Sequence, residues 1–445
     1  MTKSINAFAV SKITRRDLID SAIKLGLASS TLGLSTALLS CGGSSGSVVT
    51  PPPPPITDDE FLDQTERAAF QFFWEQASAT SGLIKDRAFA IGGNDNRPVA
   101  SIASTGFGLT ALCIGHKRGY GDAAQIQARV TTTLNFLLNL THVNGFFYHF
   151  LDLDTGARVW SSEVSSIDTS ILLCGVLTCR QYFQDANIQS LATQIYQRVN
   201  WPWMLNGGPT FSMGWTPENG FIPTNWDTYS ELMMIYLLAI GSAANPVAAA
   251  TWDAFARPSL TYQGLTYITN TGAPLFIHQY SHAWFNFRNK NDNYANYFNN
   301  SVTATAAHKL FCLSLSSQFA DYRTSLWGMT ASDSVNGYTV WGGPPAMGPI
   351  DGSIVPCATG GSLPFAPTDC IAVLRNIRAT YPKAWQRYGF VDAFNPLTGW
   401  YDADVIGIDL GIAMLMAENQ RTSFVWNTFM ANPEAQNAFQ AVHLL

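Results

Sequence analysis

Long apolar segments at helical spacing recur through this chain, and their recurrence most limits the folds open to it. DDEFLDQTERAAFQFFWEQA begins with acidic residues, which favour a helix N-terminus, and places Phe61, Phe70 and Trp74 near one face. Eight further long segments follow the same pattern: TGFGLTALCIGHKR, DAAQIQARVTTTLNFLLNL, SSIDTSILLCGVLTCRQYF, IQSLATQIYQRV, DTYSELMMIYLLAI, SVTATAAHKLFCLSLSSQF, PTDCIAVLRNIRATYP and DLGIAMLMAENQRT. Shorter candidates lie around residues 249–256, 277–287 and 422–430. Together these segments predict about twelve helices.

The connections between these helices are long and rich in Gly, Pro, Asn and Trp, as in NWPWMLNGGPTFSMGWTPENGFIPTNWD. Loops of this length in a compact domain usually carry function. A helical solenoid is the alternative fold, but the chain has no fixed repeat period. The pattern therefore indicates an all-α chain that forms one (α/α)6 barrel, with its long loops building a cleft at one end.

The N-terminal residues are predicted to be an export signal followed by a tether. TRRDLI carries the twin arginines of a Tat-type signal. The apolar run LGLASSTLGLSTALLS is shorter than the roughly 20 residues of a transmembrane helix. LLSCGG at its end resembles a bacterial lipobox with Cys41 as the lipidated residue; an ordinary cleavage site with a chance Cys is the alternative. GSSGSVVTPPPPP has the composition of a spacer that is first flexible and then extended.

These segments divide the chain into three predicted parts. Residues 1–41 form the signal that ends at the lipobox Cys, residues 42–57 the tether, and residues 58–445 the catalytic domain. We therefore expect an exported lipoprotein, periplasmic or at the cell surface, which meets the membrane only through its lipid anchor. We expect it to be a monomer.

Composition limits the partners of the chain. Charged residues make up 13% of it, against about 25% in an average soluble protein, and the net charge is −6. Nucleic acid is therefore not an expected partner, whereas a neutral saccharide suits an aromatic, uncharged surface. Apart from Cys41 there are six cysteines without zinc-ligand spacing. Most are predicted to be buried thiols, and a Cys357–Cys370 disulfide is left open.

Carboxylates recur where loops enter helices. In SSEVSSIDTS, Glu163 and Asp168 precede an apolar run, where they serve either as helix-capping groups or at the mouth of a cavity. Glu231 precedes LMMIYLLAI, where a surface Glu would fit badly, so we expect it to be paired or to line a cavity. The other acids of this kind, each explained equally well as a cap or a surface group, are Asp227, Asp333, Asp351, Asp392, Asp402, Asp404 and Asp409.

The segment FIHQYSHAWFNFR collects polar and aromatic side chains: His278, Tyr280, His282, Trp284 and Arg288. They are interpreted either as sugar contacts or as a half-buried helix with satisfied histidines. His278 and His282 are four apart, as in zinc sites, but no HExxH motif or third ligand accompanies them, so no metal is predicted. The segment from residue 58 onward has no GxGxxG motif, Walker loop or GxSxG elbow, and we expect no cofactor.

Carboxylates and aromatic rings without a cofactor motif fit glycoside hydrolysis, which needs one protonated and one ionised acid. Glu231 and Asp392 are the predicted working pair, with Glu163 as the rival for either role. Glu231 follows an aromatic loop containing Trp226, where its ionised form would be poorly solvated, which suits a proton donor. Asp392 lies in the polar turn VDAFNP, where hydration would keep it ionised as the base. An inverting pair is separated by roughly 6.5–9.5 Å.

Several blocks resemble the bacterial glucoamylase-like family that includes the endo-β-1,2-glucanases. They are STGFGLTAL, SEVSSIDTSILL, WDTYSELMMIYLLAIGS, FIHQYSHAWFNFR and IGIDLGIAMLMAENQRTSFVW. The resemblance implies an (α/α)6 barrel, a β-1,2-glucan substrate and inversion without a cofactor. It also implies that Glu163, Asp168, Glu231, Asp392 and Asp409 line the cleft.

The predicted substrate-binding residues are Asp168, Trp226, His278, Tyr280, His282, Trp284, Arg288, Asp333 and Asp409. Two other functions stay open from the residues alone. One is a polysaccharide lyase or sugar epimerase on the same fold, in which His278, Tyr280 and His282 would dominate. The other is a glycan-binding lipoprotein without catalysis.

Overall fold

The computed structural model describes residues 56–271 and 274–445, so the predicted signal and nearly all of the tether lie outside the described residues. Thirteen α-helices occur in this part of the chain. They are α1 (Asp58–Glu75), α2 (Ile102–Arg118), α3 (Ala123–Asn139), α4 (Ser166–Tyr182), α5 (Ala186–Gln197), α6 (Trp201–Met204), α7 (Met233–Gly241), α8 (Tyr297–Ser314), α9 (Pro356–Gly360), α10 (Pro367–Thr380), α11 (Gly407–Thr422), α12 (Phe424–Phe429) and α13 (Pro433–Ala441). Four 3₁₀ turns add Ala249–Asp253, Leu275–His278, Ser281–Ala283 and Pro382–Ala384.

One set of helices is buried on all sides. Helix α2 is buried from Ile102 to Gly115, α4 from Ser166 to Cys179, and α7 and α9 along their whole length. These helices pack side by side: α2 contacts α4 and α11, α4 contacts α7, and α11 contacts α9. Because a helix that is apolar all round has no face for water, these helices form the centre of the fold.

Glycines allow α2 and α4 to approach closely. A Cβ on Gly106 would lie 2.4 Å from the carbonyl oxygen of Ile171, and one on Gly175 would lie 2.1 Å from the carbonyl oxygen of Gly106. Real Cβ atoms do not approach an oxygen so closely, so only glycine permits this helix spacing.

The remaining long helices bury one face and cover the central set. Helix α1 packs on α2 and α11, α5 on α3 and α4, and α13 on α7. Polar caps explain where several of them start, because the capping oxygen accepts a hydrogen bond from an otherwise unpaired N–H. Thr57 and Glu60 form a full capping box on α1, and Asp122, Asp185 and Asn296 cap α3, α5 and α8.

Thirteen short strands tie the loops together. They are β1 (Arg87–Phe89), β2 (Val99–Ser101), β3 (Phe150–Asp152), β4 (Val164–Ser165), β5 (Gly214–Thr216), β6 (Gly220–Phe221), β7 (Ser259–Tyr262), β8 (Leu265–Ile268), β9 (Trp385–Gln386), β10 (Gly389–Phe390), β11 (Phe394–Asn395), β12 (Trp400–Tyr401) and β13 (Asp404–Ile406). All their pairings are antiparallel: β1–β13, β2–β3, β4–β5–β6, β7–β8, β9–β10 and β11–β12.

Three of these strands run directly into central helices. Strand β2 leads into α2, β4 into α4 and β13 into α11. Two further β-bridges connect these strands. Lys85, just before β1, pairs with Ala100 of β2, and Tyr148, just before β3, pairs with Val164 of β4. The N-termini of α2, α4 and α11 are therefore gathered at one end of the molecule, together with the acids that precede or begin these helices.

The sequence prediction located the nine long helices but missed details. The segment around residues 227–240 becomes helical only at Met233, so Glu231 lies in the preceding turn rather than opening the helix. The predicted helix at 277–287 is a pair of 3₁₀ turns, and 249–256 is also a 3₁₀ turn. Helices α6, α9 and α13 were not predicted.

The six cysteines in the described residues are all buried and free, so the open possibility of a Cys357–Cys370 disulfide is not realised. Four of them, in α2, α4 and α8, are the predicted buried thiols. No helix among the described residues has both the length and the hydrophobicity that crossing a membrane requires.

Candidate active site

Buried acids cluster where the central helices begin. Asp168 lies in the first turn of α4 and Asp409 in the first turn of α11, while Glu163 directly precedes β4. The positive ends of these helices favour the ionised carboxylates. Two groups of side chains with close carboxylates are present among the described residues, His149–Glu163–Asp168 and Asp333–Asp392–Asp402.

The first group is organised by a histidine. Nδ1 of His149 lies 3.2 Å from Oε1 of Glu163 and 3.6 Å from Oδ2 of Asp168. The backbone fixes this arrangement, because the N–H of His149 donates to the carbonyl oxygen of Glu163 at 2.9 Å. His149 therefore joins two acids from opposite ends of one loop-to-helix junction.

Asp168 also has a helix-capping role, but it is not the N-cap. That position is Ser165, whose Oγ accepts from the N–H of Asp168 and donates to Oδ2 of Asp168 at 2.5 Å. The structure thus supports the capping explanation for Asp168, which contacts Ser165 and lies near His149, while a position at the mouth of a cavity stays a prediction.

The second group joins three loops. The N–H of Asp333 donates to Oδ2 of Asp392 at 2.7 Å, and Nη1 of Arg87 donates to Oδ2 of Asp333 at 2.5 Å. The backbone N–H of Asp402 donates to the carbonyl oxygen of Ala393, which holds Asp402 beside the segment that carries Asp392. Oδ1 of Asp392 and Oδ2 of Asp402 are buried without a hydrogen-bond partner among the described residues.

The electrostatics of this group correct the expectation for Asp392. The side chain is only 4% exposed, not hydrated. Burial raises its pKa well above the usual range for Asp, and the nearby charges of Asp409, Asp333 and Asp402 raise it further. Burial likewise raises the pKa of Asp402 to about 7, with Asp333 adding to the effect. Hydration therefore cannot be the reason for giving Asp392 the role of base.

Ion pairs hold the frame around this group. Arg97 donates two hydrogen bonds to the carboxylate of Asp404, at 2.6 and 2.9 Å, and further bonds to Asp95. Buried Lys85 lies near Asp95 as well. Since Asp404 begins β13 and its carbonyl oxygen accepts from the N–H of Asp392, this network fixes the backbone on both sides of the acids.

Glu231 is 4% exposed and lies in the turn before α7. Oγ of Ser281 donates to its carbonyl oxygen at 2.7 Å and accepts from the N–H of Met234, so the turn is fixed by the neighbouring 3₁₀ segment. Nε1 of Trp226 donates to Oγ of Ser166 at 2.9 Å. The loop that carries Trp226 and Glu231 is therefore attached to the start of α4, at the same end as Asp168.

The predicted sugar contacts in FIHQYSHAWFNFR are corrected by the structure, because most of this segment is core. His278, Tyr280, His282 and Trp284 are at most 2% exposed. Trp284 donates to Oγ1 of Thr110, and Tyr280 packs edge-on against a ring of α2. These four residues are therefore core side chains, although Nε2 of His278 and Nδ1 of His282 have no hydrogen-bond partner among the described residues.

The two histidines of this segment are also poor proton carriers at neutral pH. Burial lowers the pKa of His278 and of His282 to about 3 each. His278 Nδ1 lies 3.2 Å from the hydroxyl of Tyr229, and His282 Nε2 lies 3.1 Å from Oγ of Ser301. Arg288 is half-buried with its guanidinium over the ring of Trp426, where desolvation lowers its pKa. Arg288 therefore also packs against neighbouring side chains and does not extend away from the protein.

The chain offers a metal ion two sets of side chains that sequence spacing did not suggest, the same two groups of acids. In both, a protein side chain already contacts the carboxylates: His149 lies between Glu163 and Asp168, and Arg87 pairs with Asp333. The expectation that no metal ion is needed stays a prediction.

A cavity of about 30 Å³ lies behind Asp392 and Asp409, with otherwise mostly apolar walls from α9, α10, α11 and β10. A space of that size holds about one water molecule and no sugar ring. It contributes to the low polarity around Asp392, which is the main cause of that residue's raised pKa.

Three site residues were absent from the predicted set. Arg87 is 246 positions from Asp333, His149 is 14 positions from Glu163, and Asp402 was noted as an acid without a role. No local spacing marks them, because the β-bridges that bring them to the acids join distant loops. Only the aromatic, turn-rich context FFYHF around His149 resembled the other loop segments.

Comparison with known proteins confirms the resemblance predicted from the sequence. Residues 223–433, just under half of the chain, match a family model described as "Putative glucoamylase". A curated relative, an exo beta-1,2-glucooligosaccharide sophorohydrolase (non-reducing end) from Parabacteroides distasonis, is 27% identical over 426 residues, which cover 87% of this chain. The chain spans 58% of the length of that relative.

Solved structures with the same fold extend over nearly all of the described residues. An endo-beta-1,2-glucanase from Chitinophaga pinensis, in complex with sophorotriose and glucose, is similar with a TM-score of 0.80 at 26% identity, covering 88% of this chain and 99% of that one. A beta-1,2-glucanase from Parabacteroides distasonis has a TM-score of 0.81 at 25% identity, covering 87% and 60%.

Proposed function

We propose that this chain, a relative of the bacterial glucoamylase-like family, is a glycoside hydrolase that cleaves β-1,2-glucan. The relatives it resembles are named for β-1,2-glucan and its oligosaccharides. The observation that carries the proposal is the presence of two groups of buried carboxylates, Glu163–Asp168 and Asp333–Asp392–Asp402, beside the loops and strands that lead into the central helices.

We also propose the finer architecture, an (α/α)6 barrel formed by residues 58–445 with the acids in a loop-built cleft. The packing order α9–α11–α2–α4–α7 supports an inner ring, and the 3₁₀ segment at 281–283, which contacts α11, is the candidate for the sixth position. The helices that bury one face then form the outer ring.

In the proposed reaction, water attacks the anomeric carbon of one glucosyl unit while the bond from that carbon to the bridging oxygen breaks. Asp392 takes a proton from the water, and Glu231 gives a proton to the leaving oxygen, directly or through a substrate hydroxyl. The raised pKa of Asp392 makes it a stronger base than an ordinary carboxylate once it is ionised. Its role therefore rests on burial and on nearby negative charges instead of hydration.

Glu163 remains the rival for either role, and His149 is its positioning partner. A histidine between Glu163 and Asp168 fixes the orientation of both carboxylates toward their shared space. Asp333, paired with Arg87, contributes a fixed negative charge next to Asp392. Such a charge also stabilises the positive character that the sugar ring develops in the transition state.

The proposed location follows from the first 57 residues of the sequence. The twin-arginine signal and LLSCGG support export and lipidation at Cys41, with the Gly/Ser/Pro stretch as a tether that holds a monomeric enzyme near the membrane. Cys41→Ala should then move the protein from the membrane fraction to the soluble fraction of the producing cell. A variant that stays with the membranes would contradict the anchor.

The activity is tested by incubating residues 56–445 with linear β-1,2-, β-1,3- and β-1,4-glucans and separating the products by chromatography. We expect sophoro-oligosaccharides from β-1,2-glucan alone. Products that absorb in the ultraviolet would identify a lyase, and binding without products would identify a glycan-binding protein. Either result would exclude hydrolysis.

A further inference from the structure

Trp160 is an exposed aromatic side chain on a strained backbone. Its side chain is 45% exposed. Trp160 and the following Ser161 both have left-handed φ angles, +57° and +54°. That conformation is costly for residues other than glycine and persists only where the surroundings enforce it. Two such residues in succession, one of them a tryptophan, require an explanation.

Arg158 enforces the conformation. Its Nη2 donates to the carbonyl oxygen of Ser161, and its Nε donates to that of Ser162, both at 2.6 Å. The same guanidinium is paired with Glu218 on the neighbouring β5–β6 turn. This clamp, defined by Arg158 and Glu218, holds the turn that pushes the ring of Trp160 outward.

The ring is connected to the acids through aromatic contacts. Trp160 meets Phe150 with ring centroids 5.1 Å apart, and Phe150 stacks on His149 at 3.8 Å and an interplanar angle of 15°. His149 in turn contacts Glu163. Trp160 is therefore the outer end of an aromatic wall that leads directly to the first carboxylate group.

We propose that Trp160 is a stacking platform that binds one glucosyl unit of the substrate at the rim of the carboxylate site. The flat face of an exposed indole matches the C–H face of a pyranose ring, and a rigid turn lets it bind without losing further freedom. This proposal rests on the proposed function for its substrate, a β-1,2-linked glucan.

The test compares Trp160→Ala and Trp160→Phe with Tyr294→Ala, an exposed aromatic in a loop outside both carboxylate groups. On β-1,2-gluco-oligosaccharides, we expect Trp160→Ala to raise KM roughly tenfold with kcat little changed, because a platform contributes equally to ground state and transition state. Trp160→Phe, which keeps an aromatic face, and Tyr294→Ala should stay near the wild-type KM. An unchanged KM in Trp160→Ala would overturn the platform.

Two further measurements separate the possible failures. Calorimetric titration with the same oligosaccharides should show weaker binding in Trp160→Ala whether or not the wild type hydrolyses them; binding without hydrolysis would overturn only the proposed function. Equal affinities, or no binding by the wild type, would overturn the platform.

The melting temperature is the second measurement. Trp160→Gly should melt no lower than Trp160→Ala, since glycine tolerates the left-handed turn. If both variants bind like the wild type, the turn is structural only.

Discussion

The backbone N–H of Asp333 donates a 2.7 Å hydrogen bond to Oδ2 of Asp392, across 59 positions of the sequence. The bond favours the ionised form of Asp392, but it also places the ion-paired carboxylate of Asp333 beside it. Burial and the surrounding negative charges outweigh the single bond, because the pKa of Asp392 is raised rather than lowered. The proposed base, Asp392, is thus surrounded by negative charges.

The negative charges around Asp392 predict how kcat/KM of Asp402→Asn should depend on pH. A base works only when ionised, so kcat/KM of the wild type should rise with pH through the raised pKa of Asp392. Asn at position 402 removes one of the charges that raise this pKa. The acid limb of the profile should therefore move to lower pH, by roughly one unit.

The profile is measured from pH 4 to 9 with Asp227→Asn, which alters an exposed acid of the loop before α7, as the control. The control should keep the wild-type profile. An acid limb at the same pH in Asp402→Asn and wild type would show that the charge of Asp402 does not influence the pKa of the base Asp392.

The fold was largely predictable because helical periodicity is local. The segment that became α4 shows both its apolar run and its capping serine within a few residues, and the prediction was accurate to one residue at each end. Helix α9 was missed because it has only five residues and no periodicity can be read from so short a segment. The histidine-rich segment failed differently: burial by α2, α8 and α11 decides its role, and of these α2 and α11 are far from it in sequence.

A buried charge network at the other end of α11 predicts a large effect on stability. Arg421 is 3% exposed and pairs with Glu66 at 2.7 Å and with Asp59 at 2.8 Å, while Arg118 holds Glu418. Arg421→Met leaves these acids without their cation, which should lower the free energy of unfolding by about 3–5 kcal/mol.

Glu66→Gln should cost much less than Arg421→Met. Burial raises the pKa of Glu66 well above its usual range and the charge of Glu418 raises it further, so the fold disfavours the ionised form and removing its charge should cost little. Urea denaturation at pH 7 measures all three proteins, with Arg67→Met as a matched exposed control that should change stability by less than about 0.5 kcal/mol. A Glu66→Gln loss as large as that of Arg421→Met would show that Glu66 is ionised.

The close approach of α2 and α4 predicts the effect of Gly175→Ala. The new Cβ would lie 2.1 Å from the carbonyl oxygen of Gly106, which belongs to a buried helix and has nowhere to move. Although alanine is the better helix former, separating the helices should lower the free energy of unfolding by about 1–3 kcal/mol. Gly208→Ala, where the nearest atom lies 3.4 Å away, is the control for denaturation experiments. A Gly175→Ala protein as stable as that control would contradict the packing.

The candidate site was predictable only in part, for a physical reason. Glu163, Glu231 and Asp392 stood out because an acid next to an apolar segment is unusual on its own. Their environment did not stand out. Asp392 lies in a polar turn but is buried, and the charges of Asp409 in α11 and Asp333 in another loop raise its pKa further. Single-sequence reasoning identifies acids but does not give their neighbours.

Glu231→Gln tests the proposed proton donor. The substitution keeps the size of the side chain and the backbone bonds of the turn, which come from Ser281. Glutamine cannot release a proton, so kcat on β-1,2-glucan should fall about 10²–10⁴-fold while oligosaccharide affinity and melting temperature stay near wild type.

Glu163→Gln is made in parallel, because Glu163 is the rival for the role of proton donor. If Glu163→Gln loses more activity and Glu231→Gln retains near wild-type turnover, the donor is Glu163. A fall in both, with substrate binding kept, would give Glu231 the proton transfer and Glu163, held by His149, the task of orienting water or sugar. Calorimetry with intact oligosaccharide on each variant distinguishes lost chemistry from lost binding, and a Glu231→Gln protein that no longer binds would show that this carboxyl holds the substrate instead of protonating it.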